Sequence, residues 1–389
     1  MRFLGLGYCA LSSCVAVAML AGCGALRQAQ DDMQPPGAMP QSNIHPHKSL
    51  ADGAGAHFLY VTDNKSNHVS IYRIKVHGAP QMAPGSPYTT GTWPIGVAIE
   101  PTGKFAYVVN WNSDNISAYA INAKDGALTQ IQGSPFSGGL EPRDVAIDPT
   151  GKYLYVADQD AGEVSAYVIN SKSGALTPVK GSPFSAGSSP WRMAMDPAGK
   201  FLYVANDSSN DVSAYAINAH SGALTKVKGS PFATGAAPSG AAVDPTAGFL
   251  YVANSGDNDV SAYAINASSG ALTQVEGSPF AAGSDPWRVA IDPTGAFVYV
   301  ANFKSSNVSA YTINGSSGAL TQVQGSPFSA GRSPAGVVID PASSFVYVSN
   351  YHSNRIYGYS IDASGGALTP LLHSPFRTMG SGPSDMAIR

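Results

Sequence analysis

The tetrapeptide Tyr-Val-x-(Asn/Asp) occurs seven times, beginning at Tyr60, Tyr107, Tyr155, Tyr203, Tyr251, Tyr299 and Tyr347. The first step is 47 residues and the other five are 48. A period of this length, built on strand-like units, specifies a repeat architecture rather than a string of independent domains. It also supplies seven versions of one structural unit inside a single chain. Residues common to all seven are explained by the fold. Residues that vary at an otherwise regular position are the candidates for function.

The unit around Tyr203 shows the pattern. Ser189 to Asp196 reads as a strand, A, and Asp196-Pro197-Ala198-Gly199 as a type I turn. Phe201 to Asn206 is strand B, Asp207 to Asp211 a polar loop, and Val212 to Asn218 strand C. Ser221-Gly222 turns the chain into strand D, Ala223 to Val227, and Gly229-Ser230-Pro231-Phe232 leads to the next unit. Strand B is apolar on both faces (Phe201, Tyr203, Ala205 and Leu202, Val204), as a strand sandwiched between two neighbouring sheets requires. Four short antiparallel strands per repeat predict an all-β fold, a seven-bladed β-propeller. The ordered part starts on a B strand at Phe58 and ends on an A strand, Ser384 to Arg389. The C-terminal A strand is therefore expected to complete the blade begun by the N-terminal B, C and D strands and close the ring.

The N-terminus is of another kind. Arg2 precedes an apolar, small-residue stretch from Leu4 to Leu20, too short to read first as a membrane span. Leu20-Ala21-Gly22-Cys23 resembles the lipobox of bacterial lipoproteins. The resemblance implies a signal over residues 1–22, acylation of Cys23, and export to the cell envelope, periplasmic or surface-exposed. Gly24 after the Cys resembles the outer-membrane sorting class of Gram-negative lipoproteins. Residues 23–57 read as the lipidated Cys and a disordered tether, with a reach of roughly 30 Å, and residues 58–389 as the propeller. Cys9, Cys14 and Cys23 are the only cysteines, so the propeller has no thiol ligand or disulfide. The formal charge is −3 with no basic run, which argues against nucleic acid as a partner. The membrane is the partner the lipobox implies, no cofactor or metal motif is present, and a monomer is expected.

The (Phe/Tyr)-(Leu/Val)-Tyr-Val-x-Asn, Val-Ser-Ala-Tyr and Asp-Pro-x-Gly units resemble the YVTN-repeat, lactonase-like propellers. That family includes a bacterial type of 6-phosphogluconolactonase, muconate-lactonizing enzymes and cell-surface proteins. The resemblance spans residues 58 to 389 and implies the fold and, as one possibility, lactone hydrolysis. In such relatives the start of strand A often reads Pro-His, and the resemblance gives that His a catalytic part. Here the residue after the proline is Ile95, Arg143, Trp191, Ser239, Trp287, Ala335 or Ser384.

With the repeat as a ruler, most polar rows read as fold. Asp148, Asp196, Asp244, Asp292 and Asp340 are turn residues. The row Asp63, Asn110, Asp158, Asn206, Asn254, Asn302 and Asn350 closes strand B and suits local backbone bonding better than Ca²⁺, which wants several carboxylates. The two positions after the A-strand proline vary instead. They bring Arg143, Asp144, Trp191, Arg192, Trp287, Arg288 and Asp385 to the channel mouth. Arg offers a fork of donors to carboxylate or phosphate, and Trp a face for a ring. Two readings stand: a pocket for an anionic or sugar-like ligand or a protein partner, or Arg and Asp paired as a plug. His68 and His352, in loops that closure makes neighbours, are further candidates. Besides ligand binding, a lactonase-like hydrolase and a structural or adhesive envelope protein remain open.

Overall fold

The structure, a computed structural model, describes residues 57–389. The signal, Cys23 and the tether lie outside the described residues. The described chain forms seven sheets around a central channel, each following the path A-B-C-D. In the fourth blade these strands are Pro190–Met195, Phe201–Asn206, Asp211–Ile217 and Leu224–Lys226. All pair antiparallel. The Gly-Ser-Pro-Phe connector, read from the sequence as a plain link, carries a fifth strand of two residues, Phe232–Ala233, paired with the opening of strand C. Ser230 anchors it by accepting the Ala214 N–H at 2.9 Å.

The ring closes as its ends require. Pro383–Ile388 pairs antiparallel with Phe58–Asp63, with Tyr60 opposite Ala387. Phe58 and Arg389 exchange both backbone bonds, at 3.1 and 2.9 Å. We number this composite sheet blade 1; blades 2 to 7 then follow in chain order.

The repeated tyrosine now has a cause. Each Tyr of Tyr-Val-x-Asn is fully buried, and its hydroxyl donates to a glycine carbonyl in the C–D turn of the next blade. Tyr203 to Gly270 (3.1 Å) and Tyr107 to Gly174 (2.8 Å) are typical, and Tyr347 of blade 7 reaches Gly78 of blade 1 at 2.7 Å. The receiving glycine must be glycine. Gly174 has φ +73°, and a Cβ there would stand 2.6 Å from the Phe105 ring of the preceding blade. Seven such joints, with Val and Leu packed between sheets, hold the blades to one another.

The turn aspartates serve their turns. Asp148 accepts the N–H groups of Lys152 (2.7 Å) and Tyr153 (2.6 Å), and also bonds Thr150. The Asx row turns inward to strand C: Asn206 Nδ2 donates to Ser213 Oγ at 2.9 Å and to Asp211 Oδ1 at 2.6 Å.

Candidate functional site

Strand A starts where strand B ends, with Pro190 opposite Asn206. The D–A and B–C loops therefore share one face, the mouth, and the A–B and C–D turns share the other. The A-strand proline is followed by a bulge in every blade, as the register slip between Pro190 and Arg192 shows. The second residue past the proline is Asp385, Gly96, Asp144, Arg192, Gly240, Arg288 and Gly336 around the ring. The four charged members meet across the channel. Arg192 Nη1 bonds Asp144 Oδ1 at 2.9 Å and lies 3.4 Å from Asp385 Oδ2. Arg288 Nη2 is 2.9 Å from Asp385 Oδ1, and its Nη1 is 3.7 Å from Asp144 Oδ1. The three glycines leave room: a Cβ on Gly240 would stand 3.0 Å from the Trp287 carbonyl.

This quartet is a plug. Asp385 and Asp144 are 1% and 4% exposed and Arg192 6%, so each charge needs its partner. Asp144 Oδ2 also accepts the Met193 N–H at 2.8 Å. Burial works against the Arg192 charge, but Asp385 and Asp144 outweigh it and the pKa is raised. For Arg288 burial dominates, with Arg192 adding to it, and the pKa is lowered.

Arg143 stands apart from the quartet. Its guanidinium carbon lies over Trp191, 3.5 Å from the ring centroid, a cation–π contact. Among the described residues it has no carboxylate within ion-pair distance, and its buried Nε has no hydrogen-bond partner. Burial, then the nearby Arg192, pulls its pKa down to about 9. It remains a cation at neutral pH. Above the plug, Arg143 and Arg192 border a cavity of about 130 Å³ whose walls include Trp93, Trp111, Trp287 and Tyr351. All four tryptophans of the chain thus gather at this mouth, Trp191 as the base under Arg143. Trp93 stacks on Trp111 at 5.2 Å, and Trp287 on Phe303 at 3.8 Å. Tyr351 donates to Asn64 at 3.2 Å.

Trp111, Phe303, Tyr351 and Asn64 are not among the residues singled out from the sequence. They occupy one register position, immediately after the Asx that ends strand B, where the other blades carry Gln159, Asp207 and Ser255. That position varies as the A-strand positions do, so the same ruler finds it. His352 sits at the rim, edge-on to Tyr351 at 5.0 Å, with Nδ1 2.8 Å from Ser333 Oγ. Desolvation, then Lys65 and Arg332, lowers its pKa, which favours the neutral imidazole. His68 opens strand C opposite Asp63. No hydrogen bond or ring contact joins it to His352 among the described residues.

A closed seven-bladed ring, plugged by a charge quartet and lined above it by aromatic and guanidinium groups, is the class of protein defined here. The chain belongs to the lactonase seven-bladed β-propeller family, whose profile matches residues 77–189, 181–238 and 229–329. No curated protein matches it by sequence. Among solved structures, a candidate 6-phosphogluconolactonase of Bacteroides fragilis superimposes with TM-score 0.75 at 20% identity, over 87% of this chain and 99% of that one. A candidate 6-phosphogluconolactonase of Bacteroides uniformis gives 0.75 at 18%, over 86% and 99%. The periplasmic gluconolactonase of Pseudomonas aeruginosa gives 0.72 at 20%, over 85% and 98%. At these identities the likeness is one of fold.

Proposed function

We propose that this chain is an exported lactonase-family propeller whose mouth cavity takes a small, ring-shaped anionic ligand, a sugar lactone foremost, and opens it. Arg143 carries the reading. A guanidinium held over an indole, without a carboxylate at ion-pair distance and bordering an aromatic-walled cavity, is prepared for an anion. It equally suits the oxyanion that develops as a lactone carbonyl is attacked. Trp93, Trp111 and Trp287 offer faces to a sugar ring. The neutral imidazole of His352 is a base at this rim, and its Nε2 can accept a proton from water when Nδ1–H donates to Ser333 Oγ. The names of the similar structures, two candidate 6-phosphogluconolactonases and a periplasmic gluconolactonase, support a lactone and an extracytoplasmic site.

A second reading, binding without turnover, is favoured by one observation. The two carboxylates of the channel quartet, Asp144 and Asp385, are held by arginines, so neither is free to activate water. Acid release from a panel of sugar and aliphatic lactones, with calorimetric binding of the matching aldonic acids, separates the readings. Turnover that falls in both Arg143→Ala and His352→Gln supports the hydrolase. Arg143→Ala is expected to weaken binding by roughly ten- to a hundredfold, the value of a charge-assisted hydrogen bond. Binding with no rate above background moves the function to the second reading, and no binding at all removes both.

The same proposal places the chain in the cell envelope through a lipid on Cys23, in the outer membrane where the host is Gram-negative, with residues 1–22 removed. Mass spectrometry of the N-terminal peptide of the native protein tests it. An unmodified Cys23, or an N-terminus elsewhere, would overturn the anchor.

A further inference from the structure

The face opposite the mouth has a one-sided charge. At the last position of the A–B turn, blades 2 to 7 carry Lys104, Lys152, Lys200, Gly248, Ala296 and Ser344. At the third position of the C–D turn, the same blades carry Lys124, Lys172, His220, Ser268, Ser316 and Ser364. The five lysines are exposed. None makes an ion pair with a carboxylate among the described residues, and the nearest engagement is Lys152 Nζ at 5.7 Å from the Tyr153 ring. The sector's own carboxylates are Glu100, Asp148 and Asp196, buried and bonded within their turns, and the half-buried Asp125, which accepts the Ala127 N–H beside Lys124. In a protein of net charge −3, the exposed charges of this sector are its lysines, whereas its carboxylates are buried or half-buried behind them.

The turns of that sector touch. Gly151 of blade 3 packs on Glu100 of blade 2, and Gly199 of blade 4 on Pro149 of blade 3. The C–D turn that holds Lys172 packs, through Gly174, on Phe105 next to Lys104. The sector also contains the place where the chain joins the ring. Phe58, the first strand residue, packs on Gly126 in the turn of Lys124, and Arg389 packs on Gly103 beside Lys104. The 56 residues that precede His57, including the lipobox-like segment, are therefore attached within the lysine sector and not at the mouth.

We propose that this sector is a docking surface for the anionic headgroups of a phospholipid bilayer, and that it turns the mouth away from the membrane. Charge complementarity supplies the attraction, which is additive over lysines near the surface. It fades within about a Debye length, ~8–10 Å. Charges within that distance of the bilayer then count: the projecting lysines attract, the four carboxylates behind them offset part of that attraction, and acidic residues elsewhere on the molecule do not reach. The proposal does not depend on lactone chemistry. An acyl group at Cys23 would raise the local concentration of membrane, while the lysines would set the orientation.

Because residues 57–389 form a closed ring with its core inside, the chain from residue 24 onward, without signal or acyl group, is a suitable test protein. Its co-sedimentation is measured with phosphatidylglycerol-containing vesicles and with pure phosphatidylcholine vesicles, at low and high salt. We expect binding to the anionic vesicles only, lost at high salt. We expect it to be weakened by about tenfold or more in Lys104→Glu/Lys152→Glu/Lys200→Glu. The milder Lys→Gln triple at these positions should show an intermediate loss with an unchanged circular dichroism spectrum. A mouth-face triple, Lys65→Glu/Lys304→Glu/Arg332→Glu, should bind as the parent does. Equal binding to neutral and anionic vesicles, no vesicle binding, or an equal loss in the mouth-face triple would each overturn the proposal.

Discussion

Among single residues, the two exceptions in the Asx row stand out. Five blades end strand B on asparagine, whose Nδ2 donates to strand C, as Asn110 does to Ser117 at 2.9 Å. Blades 1 and 3 place Asp63 and Asp158 there, 0% and 1% exposed, beneath Gly380 and Gly139 of the D–A loops. Neither Oδ1 has a hydrogen-bond partner. Burial pushes both carboxyls up to about 7, against the opposing bonds from Ser70 and Ser165. The unfolded chain releases these protons near pH 4, whereas the folded chain keeps them until about pH 7. Their stabilisation is therefore full below pH 4 and lost as pH rises through 7. Asp63→Asn/Asp158→Asn should leave Tm nearly unchanged at pH 4 and raise it by roughly 3–8 °C at pH 8. Thermal melts at the two pH values check this, and an equal shift at both would refute the titration argument. The plug offers a contrasting case. Arg192→Met strips Asp144 and Asp385 of a shared partner and is expected to cost about 3–5 kcal/mol. Adding Asp144→Asn should recover part of that loss in the same denaturant titration.

At the scale of elements, the last strand bears the closure. Pro383–Ile388 is the only inner strand of blade 1 and pairs along Phe58–Asp63. It also covers Leu59 and Val61, which with Met386 belong to one apolar cluster between blades 7 and 1. Without it, a B strand apolar on both faces becomes an open edge, the configuration that invites pairing with other chains. Deleting residues 383–389 should therefore give concentration-dependent aggregates rather than a loosened monomer, as size-exclusion chromatography with light scattering of the deleted and full chains would show. A stable monomer would mean that the six remaining complete blades suffice. The short fifth strand has no such burden. Its two residues bond to strand C and receive a tyrosine hydroxyl from the next blade, as Ser185 O does from Tyr215.

For the whole molecule, legibility and symmetry have one origin. The strands and turns were readable because they recur from blade to blade, and the seam because the partial repeats at the two ends complement each other. Strand B of blade 4 runs Phe201–Asn206 as the repeat predicts, and Asp196 sits in the turn that its Asp-Pro announced. The site was half readable for the same reason. Departures from the repeat picked out Arg143 and the quartet, yet no repeat says whether an Arg faces an Asp or a cavity. That depends on distances over the channel between blades one to three apart. The quartet is paired and Arg143 is not, while the aromatic wall at Trp111 and Tyr351 stands at the position after the repeated Asx, whose variation alone does not mark it as cavity wall. If the blades are interchangeable as scaffold, the position of the seam is arbitrary. His57 Nδ1 lies 3.0 Å from the Arg389 carbonyl, so in a chain without residues 1–56 a Pro-Thr-Gly turn copied from Pro101–Gly103 can join Arg389 to His57. New ends between Ala342 and Ser343 would then recreate the same arrangement in blade 7, a leading B strand and a closing A strand. Such a permutant breaks no strand and no Tyr–Gly joint. It is expected to fold with the mouth cavity intact and a Tm within about 5 °C of the parent, since termini that meet at the surface tolerate relocation. A much larger fall in Tm would show that blade 1, with its natural seam, holds the ring in a way its six companions cannot.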